Sequence, residues 1–111
     1  MSTKIFDRAY VRSSGSTVSL YSASFELRGE NAVSISAEAT SITQDVALTV
    51  EGGNDEANWT TVAGSTGKLT TATGYVQFRV AGLAFRFVRL AAQMSASGLA
   101  IVSAHLEPSR Q

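Results

Sequence analysis

The sequence predicts an all-β protein: a single antiparallel β-sandwich, jelly-roll-like, with about eight strands. Three observations carry this. Apolar and polar residues alternate with a period of two along most of the chain, and short clusters of Gly, Ser, Asn and Asp divide the alternating runs. The composition is that of strands and turns, with 15 Ser, 11 Thr and 9 Gly among 111 residues and a single Pro. A chain of this length closes one core, so residues 1–111 read as one domain, with 107–111 as a frayed tail.

Each element follows from its pattern. Ile5 to Val11 and Thr17 to Tyr21 are short strand candidates, followed by Ala23, Phe25 and Leu27 alternating with Ser24, Glu26 and Arg28. Val33, Ile35, Ala37 and Ala39 alternate with Ser34, Ser36 and Glu38, which puts one face on a core and the other in water. Val46, Leu48 and Val50 alternate with Ala47, Thr49 and Glu51, and Val76, Phe78 and Val80 alternate with Tyr75, Gln77 and Arg79. Trp59 to Ala63, Phe85 to Gln93 and Leu99 to Leu106 complete the set. Turns are expected at Ser13-Ser14-Gly15, Gly29-Glu30-Asn31, Gly52-Gly53-Asn54-Asp55, Gly64-Ser65-Thr66-Gly67, Thr73-Gly74 and Ser95-Ala96-Ser97-Gly98. The alanine-rich window from Gly82 to Met94 has an aromatic and β-branched centre, so it too reads as strand.

Nine basic and nine acidic residues cancel, so no long-range field gathers nucleic acid or an anionic membrane. The chain has no Cys and one His, which removes disulfides, thiolate nucleophiles and Cys-ligated or multi-His metal sites. Met1 to Arg8 interleaves charge with apolar residues, the pattern of a chain made in the cytoplasm without a secretory signal, and no apolar run is long enough for a membrane span.

Val50-Glu51-Gly52-Gly53-Asn54-Asp55-Glu56-Ala57-Asn58-Trp59-Thr60-Thr61-Val62, with Phe85-Arg86-Phe87-Val88-Arg89-Leu90 downstream, resembles the discoidin-like (coagulation-factor type C) jelly rolls. Segments of this kind also occur in small β-sandwich proteins of bacteriophage particles. The resemblance implies a jelly roll; the aromatic-rich early loops with which the discoidin family holds glycans or lipids have no counterpart here. The residues themselves specify a hairpin: Gly52 and Gly53 permit positive φ, Asn54 and Asp55 bond their own backbone, and Trp59 covers the end of the core.

For chemistry, His105 shares its strand face with Leu99, Ile101 and Ser103, and no nucleophile motif accompanies it, so no catalytic residue is assigned and the protein reads as a non-enzyme. Glu51, Asn54, Asp55 and Glu56 are a solvated acidic turn rather than a metal site, and no cofactor is implied. Asn58-Trp59-Thr60 is a chance glycosylation sequon, and Gly64-Ser65-Thr66-Gly67-Lys68 has too few residues between its glycines for a phosphate loop.

The functional expectation is assembly. Along Phe85 to Ala92 both parities carry large apolar groups, so a strand with Val88 and Leu90 in the core leaves Phe85, Phe87 and Arg89 on the outer face as an interface. This predicts a structural protein that binds itself and other virion proteins, a bacteriophage head-decoration, capsid-associated or tail component located in the virion. The alternative is a discoidin-type carbohydrate-binding module with Trp59, Tyr75 and Arg79 as its ligand face.

Overall fold

The structure, a computed structural model, describes residues 2–110, and of residues 63–65 the backbone alone. The strands, in chain order, are β1 (Thr3–Ser13), β2 (Val18–Tyr21), β3 (Phe25–Glu26), β4 (Ala32–Thr40), β5 (Val46–Gly53), β6 (Thr60–Leu69), β7 (Tyr75–Val80), β8 (Phe87–Met94) and β9 (Gly98–Ser109). They form two sheets. The four-stranded sheet has the order β1-β9-β4-β7, and the five-stranded one the order β2-β8-β5-β6 with β3 also on β8. All the pairings are antiparallel, and this interleaving of early and late strands is that of a jelly roll, with β3 as a short addition.

The alternation of the sequence is spent on one core between the sheets. Val33, Ile35 and Ala37 of β4 and Val102, Ala104 and Leu106 of β9 face Val46, Leu48 and Val50 of β5 and Val88, Leu90 and Ala92 of β8 across it. Twelve side chains of Val size or larger are fully buried there. Burial of this apolar area is the term that holds the sandwich shut, since the chain has no disulfide to help.

Several turn and end assignments need correction. Gly52 and Gly53 lie within β5, and neither adopts positive φ. Their value is the side chain they lack. A Cβ on Gly52 would come within 2.3 Å of the Phe85 ring on the core side, and one on Gly53 within 2.4 Å of the Asn58 carbonyl on the outer side. One glycine therefore admits a ring and the other a loop.

The run Gly64-Ser65-Thr66-Gly67, expected as a turn, continues β6, and the side chains of residues 63–65 lie outside the described part. Its small residues coincide with an irregularity: Thr49 pairs with Thr66 and Glu51 with Thr61, so β6 carries extra residues opposite Val50. Gly67 also leaves room for Phe78 of β7.

The tail from 107 is not frayed as far as Ser109, because β9 stays paired with β4 through Ser34–Glu107, Val33–Pro108 and Ala32–Ser109. The β1 ladder has ended by Leu106, so Pro108 sits where β9 has one neighbour, a place a proline tolerates. Gln111 lies outside the described residues.

Candidate functional site

A connected set of polar and aromatic side chains lies on the outer face of the five-stranded sheet, and strand register builds it. Outward positions alternate along β8 as Phe87, Arg89, Ala91 and Gln93. Arg89 is paired with Glu51 of β5, Ala91 lies between Tyr21 of β2 and Thr49 of β5, and Gln93 between Ser19 and Ala47. Val88 and Leu90, of the opposite parity, are fully buried.

Arg89 is the centre of this surface. Its Nε donates to Glu51 Oε1 at 2.7 Å, and its guanidinium lies 4.0 Å from the Tyr21 ring centroid and 4.4 Å from that of Trp59. Both partners of the ion pair are largely covered, at 21% and 16% side-chain exposure, so their attraction is less screened than at an open surface. The rings gain from the cation while holding its plane in place.

The expectation that Trp59 caps the core is therefore corrected. Trp59 precedes β6, is half-buried, and lies outside the sandwich against Arg89 and near Gly53. The Gly53 notch lets the loop settle close enough to the sheet to bring the indole there.

Of the expected interface, Phe87 and Arg89 do share the outer face, but Phe85 does not join them. Strand β8 begins only at Phe87, and Asn54 Oδ1 accepts the Arg86 backbone N–H at 3.0 Å. Before that point the chain has left the alternation, and Phe85 packs half-buried against the core over Gly52. Phe87 is half-buried and has the Arg86 guanidinium 5.1 Å from its ring centroid.

The expected ligand face is divided. Trp59 is on the five-stranded sheet, whereas Tyr75 and Arg79 project from β7 of the four-stranded one, where Tyr75 donates to Gln77 Oε1 at 3.4 Å and Arg79 to Ser109 Oγ at 3.3 Å. These three form no common platform. Tyr21 is the aromatic that Trp59 meets through Arg89, and sequence reading missed it because only the β2–β8 register brings it there.

Beside the stack is a hollow of about 160 Å³ lined by Ser19, Tyr21, Thr49, Glu51, Thr61, Ala91 and Gln93. A larger, shallower depression of about 510 Å³ lies among Arg12, Ser13, Ser14, Thr43, Ser97, Gly98 and Leu99. It is a broad opening between loops, without an aromatic wall or an ordered ion pair.

The acidic turn disperses its oxygens. Asp55 accepts the Asn58 backbone N–H at 2.8 Å, the Asn58 side-chain amide at 2.7 Å and the Ala57 N–H at 3.0 Å, and these bonds hold its carboxyl below the usual carboxylate range. Glu56 takes the Ser24 hydroxyl, while Glu51 faces Arg89. Among the described residues no three His, Cys, Asp or Glu side chains converge on one point. Glu26 of β3 is likewise held low by hydrogen bonds from Arg86, and then Arg28, at 3.0 and 3.1 Å. His105 lies on the outer face of the four-stranded sheet, paired with Lys4 and Ser36.

No protein-family model matches this chain, and no curated protein matches it. Among solved structures, one described as the crystal structure of PirA is similar, with a TM-score of 0.55 and 11% identity over 96% of this chain and 92% of that one. At that identity the likeness shows the fold alone: an all-β, two-sheet sandwich over nearly the whole length.

Proposed function

We propose that the protein is a non-enzymatic recognition module that binds glycan through the outer face of its five-stranded sheet. One observation carries this reading: an ordered Tyr21–Arg89–Trp59 stack stands beside a hollow lined with hydroxyl, amide and carboxylate groups. Sugars offer apolar C–H faces and hydroxyls that both donate and accept, so a wall of aromatic ring beside Ser, Thr, Gln and Glu side chains matches them. Pre-ordering of the stack reduces the side-chain entropy that binding would otherwise lose. The test is migration through native gels containing soluble neutral polysaccharides, with Tyr21→Ala and Arg89→Ala as variants. Retardation of the wild type by at least one polysaccharide, lost in both variants, supports the reading; no retardation across a broad panel contradicts it.

The second reading is assembly, as a bacteriophage virion protein docking on itself or on other particle proteins. It is favoured by Phe87 and Arg89 sharing the outer face, and by Trp, Tyr and Arg being the residue types enriched at interface centres. It ranks second because the outer face offers little open apolar surface: Arg86 covers part of Phe87, and of the large apolar side chains exposed among the described residues, Tyr10, Tyr21 and Tyr75, Tyr21 alone lies on this sheet. Sedimentation separates the readings. An oligomer dispersed by Phe87→Asp supports assembly, and a monomer that binds polysaccharide supports recognition.

A further inference from the structure

The hollow differs from the rest of the surface in its floor. Ala91 stands in register between Tyr21 on one side and Thr49 on the other, and the residue is only 8% exposed. A longer side chain at that position would fill the space its neighbours enclose. Tyr21 and Ser19 form one wall, Thr49, Glu51 and Thr61 the opposite one, and Gln93 closes an end, its amide 3.4 Å from Ser19 Oγ.

Size limits the occupant. The 160 Å³ hollow is worth about five waters of bulk volume and falls below the roughly 300–1,000 Å³ of pockets that hold drug-sized ligands. One six-membered ring with its hydroxyls fits that space; a chain of such rings would have to continue over the rim.

Charge limits it further. The lining contains no Lys, Arg or His, and its formal charge is the Glu51 carboxylate. The nearby cation, Arg89, has its Nε committed to Glu51 and its plane flanked by two rings. An anionic ligand would meet a carboxylate already paired with Arg89, and no Lys, Arg or His in the lining to offset the desolvation of its charge.

Resting on the glycan reading above, we propose that the hollow over Ala91 is the specificity site and takes one neutral pyranose unit, with Tyr21 as the apolar wall and Thr49, Glu51, Thr61 and Gln93 as hydrogen-bonding partners. The site discriminates against uronic acids and sulfated sugars because no cation lines it to offset the desolvation of their charge. Ala91 sets the size of the space.

The experiment is a ligand-observed NMR titration of the full chain with methyl glycosides of glucose, galactose and mannose, and with methyl glucuronide. Variants are Ala91→Leu, which fills the hollow from the outer face of β8, and Thr49→Val, which removes a hydroxyl at nearly constant shape. Thermal melts accompany each. The proposal expects at least one neutral glycoside to bind, the glucuronide at least tenfold more weakly, and a tenfold or greater loss in Ala91→Leu with little change in melting. Should Ala91→Leu fail to fold, Thr49→Val carries the test, with a loss of threefold or more expected.

Neutral glycoside bound equally well by folded Ala91→Leu, or by Thr49→Val, would overturn the hollow as the site. Glucuronide bound as tightly as the neutral sugars would overturn its selectivity. If no glycoside binds while the wild type is still retarded by polysaccharide, the single-ring site is wrong and the glycan-binding face stands. If polysaccharide retardation is absent too, both fall together.

Discussion

The two sheets each turn one face to solvent, and those faces differ in what their aromatic and charged side chains touch. On the four-stranded sheet Tyr10 and Tyr75 are 68% and 53% exposed, and the polar contacts described there are long and exposed, such as Arg79 to Ser109 and Tyr75 to Gln77. On the five-stranded sheet Tyr21, Arg89, Trp59 and Glu51 hold one another in place, two by a charged hydrogen bond and two by ring contacts. The same residue types thus stand well exposed on one side and packed against one another on the other. The difference comes from register, which sets Glu51 and Tyr21 beside Arg89, and from Gly53, which lets the Trp59 loop close over it.

Substitutions that sharpen this contrast run from the core outward. Leu90→Ala, one residue from Arg89 but on the buried face, should cost about 2–5 kcal/mol and lower the melting temperature most of all. Arg89→Ala, which leaves the largely covered Glu51 without its partner, should cost about 1–3 kcal/mol, with Arg89→Lys intermediate because an ammonium cannot lie flat between two rings. Trp59→Ala should cost about 1–2 kcal/mol, below the roughly 3–5 kcal/mol of a core Trp or Phe truncation. A Trp59→Ala loss as large as that of Leu90→Ala would return the indole to the core. All three are read from chemical denaturation midpoints.

Acid tests the ends of the ordered face. Glu26 and Asp55 both titrate below their ordinary values in the folded chain, so in falling pH the unfolded chain takes up protons first. Their contribution is complete above about pH 5 and is lost as the pH drops through and below about 4. Glu26→Gln and Asp55→Asn should each flatten the stability profile in that window, measured by denaturation at a series of pH values; unchanged profiles would remove these bonds from the stabilising set. The smallest effect belongs to the other sheet, where Tyr75→Ala should change stability by no more than about 0.5 kcal/mol.

What the sequence made legible follows from the range of the physics involved. Two-residue alternation placed Val88 and Leu90 inside and Phe87 and Arg89 outside, because within a strand the side of the sheet depends on parity alone. Parity stopped serving at Phe85 and Trp59, which lie just outside strands, so their sides were set by Asn54 gripping Arg86 and by the loop settling on Gly53. Glycine was ambiguous in the same way: Gly15 and Gly29 do take positive φ in expected turns, whereas Gly52 and Gly53 serve by making room for Phe85 and Asn58. Local sequence cannot distinguish a glycine chosen for φ from one chosen for space, since the group needing the space comes from elsewhere in the chain. The site was hidden for a related reason, as Tyr21, Thr49 and Ala91 converge only through the pairings of β2 and β5 with β8.

The proposed working surface is the outer face of the five-stranded sheet, around the hollow over Ala91. Its most direct test is a backbone-amide NMR shift map of the protein titrated with whichever neutral pyranoside binds. The largest changes should cluster on Ser19, Tyr21, Thr49, Glu51, Thr61, Ala91 and Gln93, with Tyr75, Gln77 and Arg79 unmoved. Changes centred on the Tyr75 to Val80 strand, or on the loops around Arg12 and Thr43, with the Ala91 hollow silent, would contradict it.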